Sequence, residues 1–494
     1  MSFDVACQPN RSGETKPQLA WLFVLLFAGF ALRLTLWWAF PNVLYPDEVF
    51  QYAELAHREV FGYGIAPWEH RVGSRSWLVP GLLAGIMAAA DWLGFTDPKA
   101  YNVAIAAVLS ALSLSVVVVG YLWAWRYYGL VGAVITGALC AFWFELVYVG
   151  PKPLTGPIAA DIMVIGLYLG YPGEPVRKPR RLFVAGLLLG LVVAIRFQLA
   201  PAAFIAAVFI CGTAIRARWV PLALGGIATV VLAGLLDAVT WNYPFQSLIE
   251  TFRINIVESR NLMYGVQPWY YFIGKWTLIW GGALVPMLVL FSIGARRNLM
   301  LAVVAITVVA THMLFAHKQY RFGLPAVPPA MILIGLGTTA VLLDQRARFT
   351  SPTAWRSAIA LTIAGWMVTS LALAIGDHFR PLWTKYDGGL LAMQQAHAAP
   401  DLCGLGMVGV HWTQTGGYTH LHRHVPLFVP TDGDASAEAG YNYAVAPRGA
   451  IAADSRYAKV GCYGSNEICL FRRDGGCKSM PEQEVNAVLI RRNE

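Results

Sequence analysis

The chain is built largely from stretches of 17 to 24 residues that carry almost no charge. Each is long enough to cross a hydrocarbon layer of about 30 Å as a helix. Twelve such stretches occur, at 19–40, 77–93, 102–125, 130–149, 154–171, 181–197, 199–215, 219–239, 270–293, 299–316, 323–343 and 356–376. Apolar residues make up 57% of the 494 and charged residues only 13%, too few to coat a soluble protein of that size. Backbone amides inside lipid must be satisfied internally, so only helices or closed barrels can cross, and no alternating barrel pattern is seen in the sequence. The chain therefore reads as a polytopic α-helical membrane protein. A soluble enzyme, a disordered chain and a disulfide-knotted miniprotein are excluded.

The charge pattern sets the topology. Lys and Arg number 37 against 28 Asp and Glu, a net +9, but no dense basic stripe suits nucleic acid. Basic residues on loops instead mark the cytoplasmic side. If 77–93 crosses, the clusters Arg177–Arg181, Arg216/Arg218, Arg296/Arg297 and Arg346/Arg348/Arg356 all fall outside. If it lies along the outer face or dips back, all fall inside. The second arrangement predicts eleven crossings plus one juxtamembrane or re-entrant segment, with the N-terminus in and the C-terminus out. The first apolar run is too long for the core of a secretory signal and lacks a small-residue cleavage site.

The outer face then holds the polar chemistry: a first loop at 41–101, a second at 240–269, a turn at 317–322, and a soluble α/β domain at 377–494. In that domain the short apolar runs Leu405–Val410, His424–Phe428 and Ile468–Phe471 predict strands. Cys403, Cys462, Cys469 and Cys477 lie in the oxidising compartment and predict one or two disulfides, with three full pairings open. Cys7, Cys140 and Cys211 are expected to be free.

The first loop opens with Tyr45-Pro46-Asp47-Glu48-Val49-Phe50-Gln51. Pro46 suits a first helical turn, and Asp47 and Glu48 then sit at its positive end. Val49, Ala53, Ala56 and Val60 recur at helical spacing, which predicts an amphipathic helix over 46–61 on the outer leaflet. The two acids either cap that helix or serve as an ionised general base at the membrane rim. Next come Trp68-Glu69-His70 and Arg75-Ser76-Trp77, which fit a sugar-stacking, phosphate-binding rim or plain interfacial anchoring. In the second loop, Asn255, Glu258, Arg260, Tyr264 and Trp269 are residues that bond and stack on carbohydrate. The turn His317-Lys318-Gln319-Tyr320-Arg321-Phe322 places three cationic side chains on the outer side, for a lipid phosphate or for headgroup snorkelling. Arg33, Glu145, Asp161, Arg196 and Asp237 are ionisable residues within spans, functional or paired between helices. His420, His422 and His424 alternate and would share one face of a strand; a surface cluster is favoured over a metal site.

Taken together these segments resemble the GT-C mannosyltransferases that use dolichyl-phosphate mannose. Tyr45-Pro46-Asp47-Glu48-Val49-Phe50-Gln51 is similar to that family's His/Asn-Pro-Asp-Glu-x-x-Gln opening. Phe61-Gly62-Tyr63-Gly64, Pro67-Trp68-Glu69 and Arg75-Ser76-Trp77-Leu78 follow in the family's order, and His317–Pro325 resembles its His-Lys-Glu-x-Arg-Phe-x-x-Pro signature. Tyr418-Thr419-His420-Leu421-His422 resembles a late segment of the third GPI mannosyltransferases.

The resemblance implies an inverting glycosyltransferase with Asp47 as catalytic acid/base and Glu48 in support. The donor would be a polyprenyl-phosphate mannose and the acceptor a lipid- or glycan-linked hydroxyl. Lys318, Arg321, His317 and Arg75 would hold the donor phosphate, and no metal or other cofactor is required. Residues 1–376 would form the catalytic membrane domain. Gln319 replaces the family's usual acid, Gly150-Pro151-Lys152-Pro153 stands where Gly-Thr-Arg-Thr is usual, and Trp412–Gly416 replaces a Cys-His-Ser-Thr-Pro-like stretch. These departures leave the acceptor open. An alanine-rich chain with a short tail points to a bacterial relative in the inner membrane with a periplasmic site; a eukaryotic one would face the ER lumen. The rival classes are a transporter or flippase, and a GT-C enzyme using another lipid-linked sugar.

Overall fold

In a computed structural model of the chain, residues 16–171, 178–430, 435–452 and 455–492 are described. Every one of the twelve apolar stretches is helical. Among the described residues six helices are long and apolar enough to cross a membrane: Leu19–Ala39, Pro98–Phe142, Ile215–Thr240, Tyr271–Ala295, Tyr320–Asp344 and Pro352–Ala374. Shorter apolar helices include Leu78–Trp92, Thr155–Gly170, Phe197–Cys211 and Leu299–Met313. At 45 residues, Pro98–Phe142 is far longer than one crossing. It is broken at Gly129, whose φ of 64° and ψ of −153° interrupt the helical run.

The chain folds into two compact units. One holds residues up to Thr35, Val108–Leu235 and Ile254–Phe379, and consists of packed apolar helices. Small residues let its backbones approach closely, as bundles in lipid require. A Cβ on Gly294 would run into the Leu333 carbonyl and one on Gly337 into the Leu290 carbonyl, so Leu284–Ala295 and Val327–Asp344 meet backbone to backbone. Gly186 and Gly225 play the same part between Pro179–Ile195 and Val220–Thr240.

The other unit gathers Leu36–Ala107, Leu236–Arg253 and Arg380–Glu494. Its sheet has five strands, β1 (Leu405–Met407), β2 (Leu427–Phe428), β3 (Tyr443–Pro447), β4 (Ala458–Tyr463) and β5 (Ile468–Arg472), in the order β2-β1-β3-β5-β4. β1 runs parallel to β2 and β3, while β5 runs antiparallel to β3 and β4. The three strands expected from the sequence are there, and β3 and β4 complete the sheet. Both disulfides form: Cys403–Cys477 and Cys462–Cys469, the second joining directly opposed residues of β4 and β5. Cys140 and Cys211 are free and buried, while Cys7 lies outside the described residues.

Two expectations need correcting. Residues Glu48–Phe61 are helical, but Glu48–Ala53 is a π-helix and every residue from Glu48 to His57 is buried. No single apolar face lies on a leaflet, because Val49 and Phe50 join a core with Leu390, Met393, Leu421 and Leu470. The histidines do not share a strand. Gly417–Leu421 is a short helix, His422 adopts the left-handed conformation at φ 42°, and the three rings part company. His420 pairs with Gln394, His422 with His57, and exposed His424 stacks on Tyr63.

Candidate functional site

Asp47 stands at the N-cap position of the π-helix, where the helix start favours a carboxylate. Of the acids at 47, 48, 54 and 69, Asp47 alone is half-buried; the other three are buried. Glu48 accepts from the Tyr45 amide at 3.0 Å, closing the turn that carries Asp47. Glu69 accepts from Gln51 Nε2 at 2.9 Å. Burial pushes the Glu69 carboxyl above the usual range; the Arg75 charge opposes this and the Asp47 charge adds to it. Asp47, Glu69 and Arg75 are thus electrostatic neighbours.

Trp68, Glu69 and His70 form a short helix, Trp68–Arg71, behind this group. The His70 ring lies 5.3 Å from Trp241 and 6.0 Å from Trp77, and its Nδ1 is buried with no hydrogen-bond partner among the described residues. Burial, then the charge of Arg58, lowers the His70 pKa to about 4, so the ring is neutral at pH 7. The segment 72–75 is strapped by residues 241–251. Trp241 Nε1 donates to the Arg75 carbonyl at 3.1 Å, Gln246 Nε2 to the Val72 carbonyl at 3.3 Å, and the Thr251 hydroxyl to the Ser74 carbonyl. Asp237 holds that strap by accepting from the Ser247 amide and hydroxyl.

Glu54, one helical turn beyond Gln51, is fully buried. It accepts from the amides of Ile65 (2.8 Å), Tyr418 (3.0 Å) and Thr419 (2.9 Å) and from the Thr419 hydroxyl (2.7 Å). His57 Nδ1 pairs with the Tyr63 carbonyl at 3.0 Å and Nε2 with His422 Nδ1 at 2.9 Å. The carbonyl fixes the tautomer: Nδ1 of His57 donates, so its Nε2 accepts and His422 is the donor. The Asp47-bearing helix is therefore tied along its length to residues 417–422.

The segment 240–269 divides after Arg253. Asn255, Glu258, Arg260, Tyr264 and Trp269 belong to the helical unit with His317, Lys318 and Arg321. Arg260 and Glu258 are 3.5 Å apart, while Tyr264 and Trp269 are exposed. His317 Nδ1 lies 2.9 Å from the Gly265 carbonyl. The Lys318 ammonium donates to the Gln267 carbonyl at 3.1 Å and to the Phe315 carbonyl, so it also staples loop to turn. Glu145 accepts from Trp143 and Trp280 at 2.8 and 3.0 Å and from the Tyr320 hydroxyl, anchoring the same turn from within the bundle. Arg33, fully buried, donates to the Gly29 and Ala141 carbonyls. Among the described residues no group of three His, Cys, Asp or Glu side chains is disposed to hold a metal ion.

Sequence reading missed Glu54, His57, Trp241, Gln246 and Thr251. Their partners are backbone groups or residues hundreds of positions away, and no local spacing signals them.

The fold is also that of a solved protein. ArnT from Cupriavidus metallidurans, bound to undecaprenyl phosphate, matches 94% of this chain and 99% of its own at a TM-score of 0.57 and 13% identity. The apo form gives 0.56. The fold is that of the GT-C membrane glycosyltransferases. Residues 21–422 match the Alg9-like mannosyltransferase family, and the chain belongs to that family. It is 28% identical to GPI mannosyltransferase 3 of Yarrowia lipolytica over 78% of this chain and 72% of that one. It is 24% identical to mannosyltransferase APTG1 of Arabidopsis thaliana over 86% and 80%. GPI alpha-1,2-mannosyltransferase 3 of Mus musculus is 24% identical over 63% and 58%. This is a GPI mannosyltransferase-like integral membrane enzyme.

Proposed function

We propose that the enzyme transfers mannose from a polyprenyl-phosphate mannose to a hydroxyl on a lipid- or glycan-linked acceptor, with inversion, at the outer face of a bacterial inner membrane. The acceptor oxygen forms a bond to C1 of mannose and gives its proton to Asp47. The C1–O bond to the lipid phosphate breaks, and its electron pair leaves on the phosphate oxygen. A β-linked donor yields an α-mannoside. General-base help of this kind is worth about 10²–10⁴ in rate. Departing phosphate charge is met by fixed cations, with Arg75 in the unit that carries Asp47. Trp68, Glu69 and His70 border the acid, and no metal is needed when fixed cations face the leaving group.

One observation carries this reading. Asp47 is the acid among those at 47, 48, 54 and 69 that is not buried, and its charge acts on Glu69 together with that of Arg75. The test is purified protein supplied with radiolabelled polyprenyl-phosphate mannose, glucose or arabinose and a membrane lipid extract. The expected product carries label from the mannose donor alone and loses it to α-mannosidase. Label entering from another sugar, or solute uptake without transfer, would replace this reading with one of its rivals.

A further inference from the structure

Polar atoms converge on the space that Gly150 leaves open. A Cβ on this residue would lie 2.7 Å from Ser113 Oγ, 2.9 Å from the Leu146 carbonyl oxygen and 3.0 Å from Arg33 Nε. The Leu146 carbonyl already accepts from the Gly150 amide at 3.1 Å, and the Ser113 hydroxyl donates to the Ser110 carbonyl at 2.8 Å, so its oxygen is left to accept. Gly150 borders a small cavity inside the helical unit, lined also by Ser113, Glu145, Pro157, Asp161 and Leu324. The cavity has room for about one water molecule.

Two opposite charges face this place. Arg33 is 0% exposed, and its Nη1 donates to the Gly29 and Ala141 carbonyls at 3.0 and 2.9 Å. Its Nε and Nη2 are buried with no hydrogen-bond partner among the described residues. Asp161 is 5% exposed, and its main-chain carbonyl accepts from the Ser115 hydroxyl at 3.0 Å. The charge that acts on its carboxylate is that of Arg33, and among the described residues no hydrogen bond reaches that carboxylate. Glu145, the other acid on the cavity, has both oxygens engaged by Trp143, Trp280 and Tyr320.

A buried guanidinium with idle N–H groups and a buried carboxylate without a donor are each costly. A ligand that relieves both must accept from the first and donate to the second. It must also be neutral, because a cation would meet Arg33 and an anion Asp161. Water has that chemistry and that size, and three hydrogen bonds are usual for a buried one.

We propose that a water molecule bound beside Gly150 accepts from Arg33 Nε and donates to Asp161 and to Ser113 Oγ. The charge pair between Lys16–Ala39 and Thr155–Gly170 is thus closed through water, and Gly150 is the residue that makes the space for it. Unfolding equilibria of the full chain in lipid nanodiscs test this, for Arg33→Met, Asp161→Asn and the pair together, each with and without Gly150→Ala. Each single change strands the opposite charge and should lower the folding equilibrium constant by about a hundredfold or more. The double change should lose far less than the two singles combined, which measures their coupling. With Gly150→Ala the Cβ takes the place of the water, and that coupling should fall by about tenfold. If Gly150→Ala does not fold, Ser113→Ala, which removes one partner of the water, decides in its place. A density map of the full chain should show a water within hydrogen-bond distance of both Arg33 Nε and an Asp161 oxygen. Direct contact between the two side chains in that map, no coupling between them, or a coupling that survives loss of the space unchanged would each overturn the proposal.

Discussion

Gln51 donates to Glu69 across 2.9 Å, joining the helix that follows Asp47 to the segment that carries Arg75. Both residues are buried, so the bond cannot be replaced by water without opening the site. Gln51→Leu strands the Glu69 carboxyl and is expected to cost about 1–3 kcal/mol of stability. It should lower kcat more than it raises KM, because it moves the acid rather than a binding surface. Glu69→Gln keeps an oxygen to accept from Gln51 and should be milder. Thermal unfolding and transfer kinetics of both variants and their double mutant decide this, with a coupling of about 1 kcal/mol expected.

Glu69 also has a pH signature. Burial raises its folded pKa above 4.5, so the folded state holds the proton more tightly than the unfolded chain does. Its stabilising contribution is complete below the ordinary carboxylate range and is lost as pH rises through the raised value. Wild type should therefore gain stability relative to Glu69→Gln on acidification in that window. Parallel melting curves from pH 4 to pH 7 would show the effect is not there.

The histidine pair acts with the opposite sign. Burial, with the neighbouring His422 and His420 charges, lowers His57 to about 3. His420 falls to about 4 through burial, and His422 is lowered too. A proton that the unfolded chain takes up near 6.5 is refused by the fold, so stability present above that pH is lost as pH falls toward 3. Hydrogen-exchange protection factors at 46–65 and 417–422, corrected for the intrinsic pH dependence of exchange, should fall between pH 6.5 and 5. In His57→Asn, which keeps a donor for Tyr63, that fall should shrink.

The two disulfides should differ in weight. Cys403–Cys477 closes 74 residues and Cys462–Cys469 only 7. Loop-closure entropy gives about 4 kcal/mol for the longer and about 2 kcal/mol for the shorter. Unfolding of Cys403→Ser/Cys477→Ser beside Cys462→Ser/Cys469→Ser checks the order.

What was legible in the sequence was what is local. The apolar stretches gave the helices because lipid demands length and low charge, and Leu405–Val410 and Ile468–Phe471 gave strands because short apolar runs between turns have few alternatives. Family membership followed from motifs that are contiguous, such as Pro46-Asp47-Glu48. The burial of Glu48–His57 was hidden because its partners lie far along the chain: Glu54 and Thr419 are 365 residues apart. His420, His422 and His424 misled because period-two spacing also fits a short helix ending in a left-handed residue. The strap from Trp241 and Thr251 binds main-chain carbonyls, which carry no sequence signal.

Transfer from radiolabelled polyprenyl-phosphate mannose by wild type and by Asp47→Asn, at matched folded protein, tests the central claim most directly. Loss of the proton acceptor should cut kcat by at least about a hundredfold while donor KM stays within a few-fold of wild type. Equal turnover in the two proteins would contradict the role of Asp47.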